Sequence, residues 1–254
     1  MVIPSASQGT VVSRHEFKGL LRLRYAQMPE GTPTTCICGQ RNDLQHPRVC
    51  QRGTGVIGRH DKLRDILAGL VGLLGPVQVE PTLHPLEPGD ALSYRSANIE
   101  DGARSDLLME GFISPYHMLY VDVRVAARNQ EAHKEESLFQ MLHSQELKKR
   151  REYAQRIQMV ENADFIPFIL TESGLLAYQA RYFIQELSTR IAAKLKSRVS
   201  AVRSCILVEI SFLMQRRLLG CYLAPRGKAA IPPGLRWALS APYAAFLLGL
   251  SHNS

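Results

Sequence analysis

Four side chains that favour soft or borderline metals crowd the string CICGQRNDLQHPRVC: Cys36, Cys38, His46 and Cys50, spaced Cys-x-Cys-x7-His-x3-Cys. Tetrahedral zinc takes four such donors, and a segment this short has no core of its own. Gly39, just after the first pair, frees the backbone to turn tightly around an ion. The first spacing is one residue, where two to four is usual. The alternative is therefore a group of unliganded thiols beside a surface histidine. With all four positions supplied by protein, a zinc here would fold the loop and would not catalyse. Cys205 and Cys221 lie in apolar helical surroundings and read as small buried hydrophobes.

A second set of residues suits a hard cation. Glu80 ends VQVE, Asp106 lies in RSDLL, and Asp122 lies in YVDVRV, with fifteen residues between the two aspartates. A strand, a turn and a second strand of that length bring the two aspartates side by side. Asp122 stands inside the most β-prone stretch of the chain, where an acid is costly to bury unless paired or metal-bound. Converging carboxylates suit Mg²⁺, which lowers the pKa of a bound water and stabilises charge developing on a phosphate. The bland alternative is a strand start, a solvent-facing edge residue and a polar strand end.

Cations accompany these acids. Leu142, Lys149, Tyr153, Ile157 and Val160 fall on one helical face, so Lys149 shares an apolar stripe while Lys148, Arg150 and Arg151 point elsewhere. It either snorkels outward or reaches a site where its ammonium can stabilise a phosphate or position a water. Arg124, two residues past Asp122 and on the same strand face, is the second candidate.

The elements that must position these groups follow from punctuation and period. Residues 14–27 read as a short basic helix, broken by MPEGTPTT. From Asp61, apolar residues at 63, 66, 67, 70, 71 and 74 have helical spacing until Gly75-Pro76. VQVEP, RSDLLM and HMLYVDVRV read as strands, the last two joined by a turn from Gly111 to Tyr116. About Asn129 to Glu161 has helical composition. DFIPFILTES is a further strand in which Pro167 argues against a central position. About Leu175 to Cys221 is helical. The order is knuckle, helix, three strands, helix, strand, helices, with no internal repeat.

Composition bounds the class. The chain has 254 residues, 45% hydrophobic and 21% charged, enough for a real core. Residues 1–65 carry ten basic and five acidic residues, 66–180 ten and sixteen, and 181–228 ten and two, within a net charge of +8. Basic flanks around an acidic middle suit an anionic partner, nucleic acid first. The cysteine pattern is not that of a secreted disulfide scaffold, and an intracellular, nuclear setting is expected. No signal peptide is read, and the apolar tail is too short and interrupted to span a membrane.

Taken together, the knuckle, the helix beginning RHDKLRD, the strand acid Glu80, the ARSD segment and YVDVRV resemble the restriction-like endonuclease domain at the C-terminal end of site-specific non-LTR retrotransposon polyproteins. The likeness runs from about Phe17 to Lys228 and continues through Glu146, Lys149, Arg151, Tyr153, Phe165, Pro167 and Arg226-Gly227. It implies an α/β fold of the PD-(D/E)XK nuclease class, an αβββαβ core with an N-terminal zinc knuckle and a C-terminal helical extension. The implied layout is a basic segment 1–35, a knuckle 36–58, a nuclease core 59–173, a basic helical extension 174–228 and a divergent apolar tail 229–254. Asp106 takes the place of the motif's first aspartate, Asp122 that of its second acid, and Glu80 that of an extra acid near the first strand. Ser105 stands where the motif has proline, and Arg124 where it has lysine, so Lys149 becomes the stand-in lysine. The expected activity is Mg²⁺-dependent nicking of DNA, with RNA of its own element as a second partner and no polymerase motif in the chain. The alternatives are a catalytically inactive zinc-containing nucleic-acid-binding module and a transposon relic.

Overall fold

The computed structural model describes residues 11–52, 54–127 and 136–223. Across the described residues the chain is mixed α/β with a four-stranded mixed sheet, and it divides into two units. The apolar tail, Arg226-Gly227 and the start of the expected long helix at residues 129–135 lie outside the described residues.

The unit that carries the sheet comprises Arg64–Thr171 and Leu175–Lys194. Its strands are β1 (Val77–Val79), β2 (Leu107–Glu110), β3 (Met118–Ala126) and β4 (Asp164–Thr171), in the order β1-β2-β3-β4. The first three are antiparallel and β4 joins β3 in parallel. A parallel pair needs a crossover. Here it is a helix, α1 (Leu138–Lys149), that continues through two π-helical stretches, Arg150–Ala154 and Ile157–Glu161. Ser137 and Gln140 cap its start reciprocally, the Gln140 backbone N–H donating to Ser137 Oγ at 3.2 Å and the Ser137 N–H to Gln140 Oε1 at 2.9 Å.

This crossover helix runs along one face of β3. At one end Met141 and Leu142 pack with Ala126 and Ile169; at the other Ile157 packs with Tyr120, Phe165 and Leu83. Asp122 lies on that face between Tyr120 and Ala126, beneath the middle of the helix. The opposite face of β3 presents Leu119, Val121 and Val123, all buried, which is why the strand reads as a near-continuous apolar run. Pro167 pairs in register with Asp122, and β4 ends the sheet, where a missing backbone donor is tolerated. The helix α2 (Tyr178–Leu195) supplies Phe183, which meets Phe168 edge-on at 5.7 Å and stacks on Phe112 at 4.7 Å.

The second unit comprises Met1–Leu63, Glu172–Gly174 and Leu195–Ser254. It contains α3 (Arg14–Arg24), the knuckle with its one-turn helix His46–Val49, and α4 (Val199–Leu223). Helix α5 (Thr54–Gly72) runs through both units, because the division falls after Leu63. Its start corrects the expectation of Asp61: residues 54–60, which include Gly55 and Gly58, are helical too. Gly55 lets α4 approach, since a Cβ there would sit 2.7 Å from Cys221 Sγ. Tertiary packing thus overrides a poor local propensity. Cys221 is buried as expected, whereas Cys205 is only half-buried.

Because Phe168 is fully buried against an aromatic partner, Phe168→Ala is expected to cost about 3 to 5 kcal/mol of stability. Urea unfolding followed by circular dichroism checks this, and a loss under about 1 kcal/mol contradicts the packing described.

Candidate functional site

In the knuckle, Cys36, Cys38, His46 and Cys50 each offer a donor atom, and all four atoms lie within 4.8 Å of one another. The local chain builds this directly. Cys36 N–H donates to Gln40 O at 2.8 Å and Gly39 N–H to Cys36 O at 2.9 Å, a turn that needs the positive φ of +88° at Gly39. Asp43 Oδ1 accepts the backbone N–H groups of Gln45 and His46, both at 2.7 Å, and so starts the turn that aims His46 inward. Cys36 and Cys50 sulfurs are 3.6 Å apart, close to the roughly 3.8 Å edge of a tetrahedron with ~2.3 Å Zn–S bonds. Cys38 Sγ and His46 Nε2 are 3.1 Å apart, slightly tighter than such an edge. Burial pushes the Cys36 thiol up, but the Cys38 backbone N–H and the His46, Cys38 and Cys50 side chains bring it down to about 6. The Gln40 backbone N–H pulls Cys38 down, yet burial and the neighbouring Cys36 and Cys50 leave it raised. Cys36 is thus the thiol readiest to ionise, and a cation among the four donors would draw off the remaining thiol protons. The cluster can hold a zinc ion, with four protein ligands and no open position.

The two aspartates occupy facing positions on neighbouring strands. Asp106 and Asp122 stand opposite each other one position beyond the Leu107–Val121 pair, and hence on one face. Ser105 Oγ donates to Val121 O at 3.0 Å and Val123 N–H donates to Asp106 Oδ2 at 2.6 Å, which ties the start of β2 to β3. Asp122 is buried, and Lys149 Nζ reaches it at 3.0 Å to Oδ2 and 3.3 Å to Oδ1. The same ammonium lies 3.5 Å from Glu152 and 4.9 Å from the centre of the Tyr153 ring. Burial lowers the Lys149 pKa, but Asp122, Tyr153 and Glu152 outweigh it and leave the group raised. Lys149 is therefore an ammonium at neutral pH, able to donate hydrogen bonds and to stabilise negative charge, and unsuited to act as a base.

The other sequence candidates are placed differently. The Glu80 backbone N–H donates to Asp106 O at 2.9 Å, but its carboxylate is held by Arg64 and, at 3.7 Å, by Arg104. Arg124 is half-buried on the Asp122 face, with no ion-pair partner among the described residues. Among the described residues, the knuckle is the one place where three or more metal-type side chains converge this closely. A divalent ion between Asp106 and Asp122 would therefore rest on two carboxylates and complete its shell with water and substrate oxygens, which is the habit of Mg²⁺. On the knuckle, Arg41 and Arg52 are exposed, while Arg48 is committed to the buried Glu172, whose other partner is Arg59 at 3.8 Å.

Sequence reasoning missed two groups. Glu152, three residues from Lys149, signals itself only through helical spacing. The buried Glu161 accepts the His84 backbone N–H at 2.7 Å and Tyr120 Oη–H at 3.1 Å, and faces His84 Nδ1 at 2.7 Å. Burial and then Glu161 push the Tyr120 hydroxyl up to about 12. No spacing rule joins positions 77 residues apart.

Neither the protein-family models nor the curated proteins compared with this chain match it. Two outcomes follow from the geometry. One zinc per chain is expected by elemental analysis, and a chelator should speed amide exchange across 34–50 while 118–126 stays protected; absence of bound zinc removes the knuckle assignment. Because the Lys149 pKa is raised, its stabilisation is fully present below the ordinary lysine value near ~10.4 and is lost as pH climbs through the raised value. The stability gap between wild type and Lys149→Met should thus stay level from about pH 6 to 9 and shrink at higher pH in thermal unfolding.

Proposed function

We propose that this chain is a retrotransposon-derived, Mg²⁺-dependent DNA endonuclease of the restriction-like type, acting in the nucleus, with a structural zinc knuckle. The observation that carries the reading is the Lys149 ammonium, 3.0 Å from a buried aspartate that stands across the sheet from a second one. The α-β-β-β-α-β succession of α5, β1 to β3, α1 and β4 supports it, as does the excess of positive charge at both ends of the chain.

In this reading Asp106 and Asp122 would hold the ion, which when bound would supply Lewis-acid polarisation of the phosphate and a more acidic water. Lys149 keeps its protons and donates from Nζ, orienting the water and stabilising charge that develops on the phosphoryl oxygens. Asp122 and Glu152 fix that ammonium from two sides, and Tyr153 shields it. Ser105, which stands where the motif has proline, ties the start of β2 to β3 through its bond to Val121 O. Arg124 would contact substrate phosphate, and Glu80 is a structural partner of two arginines. Arg41 and Arg52 of the knuckle would contact the DNA backbone.

The rival is a non-catalytic nucleic-acid-binding module, favoured by the engagement of Glu80 with Arg64 and Arg104 in place of a third metal-facing acid. Cleavage separates the two. With supercoiled plasmid and Mg²⁺, wild type should nick, Asp122→Asn should abolish nicking without changing DNA affinity, and Lys149→Met should slow it by roughly 10² to 10³. A wild type that binds DNA and never nicks it leaves the binding module; an Asp122→Asn variant that still nicks overturns the site.

A further inference from the structure

Helix α3 presents a face that neither the knuckle nor the aspartates explain. Phe17, Leu21 and Tyr25 recur every four residues along one side and are 59%, 41% and 69% exposed. Arg14 and Lys18 share that side, and Arg24 borders it; all three are exposed. The opposite side is used up inside the same unit. Gly19 is buried, where a Cβ would sit 2.6 Å from Leu219, and Leu23 packs on the Leu218, Cys221 and Tyr222 cluster of α4. The one acid of the helix, Glu16, is buried on that side and lies 3.3 Å from Arg216. Glu30 meets the rim through Arg22. The outward face is therefore three apolar side chains, two of them aromatic, set among cations.

We propose that this face binds single-stranded DNA. Rings stack on unpaired bases while cations follow the phosphates, a combination that serves single strands of any sequence. A duplex keeps its base faces stacked inside and offers such rings nothing to lie on. A membrane-surface helix would segregate a wide apolar face from its cations, whereas here the two interleave and the other apolar side is consumed by α4. Tyr25 is the only side chain of the face with a hydroxyl, so there is little to select a 2′-OH. The choice of DNA over RNA rests on the reading under Proposed function; the stacking surface does not.

The test uses the full zinc-loaded chain without added Mg²⁺, so that cleavage plays no part. Anisotropy of a fluorescein-labelled, unstructured 20-mer is compared for wild type and Phe17→Ala/Tyr25→Ala. Both rings are exposed, so melting temperature and zinc content should be unchanged. The double variant is expected to lose roughly tenfold or more in single-strand affinity and to keep its duplex affinity. Arg14→Gln/Lys18→Gln should flatten the dependence of log K on log salt. A bromouracil-substituted strand should crosslink to Phe17 or Tyr25. Unchanged single-strand affinity, an equal loss for duplex, tighter binding of the same sequence as RNA, or stronger wild-type binding to phosphatidylserine vesicles that the double variant loses would each overturn the proposal. A nicking failure with these results intact removes only the nuclease reading.

Discussion

An aspartate in the middle of a buried strand is tolerable only if something answers its charge. Asp122 carries the architecture of its unit, because the partner it needs must come from another element and arrive dry. That partner is Lys149, brought by the crossover helix. Removing either one leaves an uncompensated charge in low dielectric, which costs far more than the pair contributes when intact. The parallel joining of β4 to β3 requires a crossover in any case, and the helix that provides it lies over the same face of β3 as the acid. Topology and electrostatics thus meet at one residue.

The π-helical turns serve that meeting. Lys149 and Ile157 are eight residues apart, which in an uninterrupted α-helix puts them about 80° out of phase. Both nevertheless address β3, one at Asp122 and one beside Tyr120. The wide turn over Arg150–Ala154 lies between them and changes the phase of the helix. The last turn then delivers Glu161 to Tyr120 and His84, which pins the loop after β1 against the sheet.

Much of this was legible in the residues. The element order, the turn from Gly111 to Tyr116 and the Lys149 stripe come from period and punctuation, which are local properties. The donor set of the knuckle follows from spacing alone. What escaped depends on tertiary partners. The early start of α5 follows from Gly55 facing Cys221, and the removal of Arg48 from the basic surface follows from a buried carboxylate 124 residues away. The engagement of Glu80 with arginines is of the same kind. A charge in a sequence announces its sign and not its partner.

Strand β4 ends the sheet, yet seven of its eight residues are buried and it spells FIPFIL through its centre. The outward groups of Ile169 and Thr171 are already bonded to Ala177 and Leu175, but the first half of an outer strand of that composition is a template on which another chain could zip. Pro167 breaks that template. Having no amide hydrogen, it interrupts the outward ladder at mid-strand, so the residue that looked like a defect in the pattern also acts as a guard against aggregation.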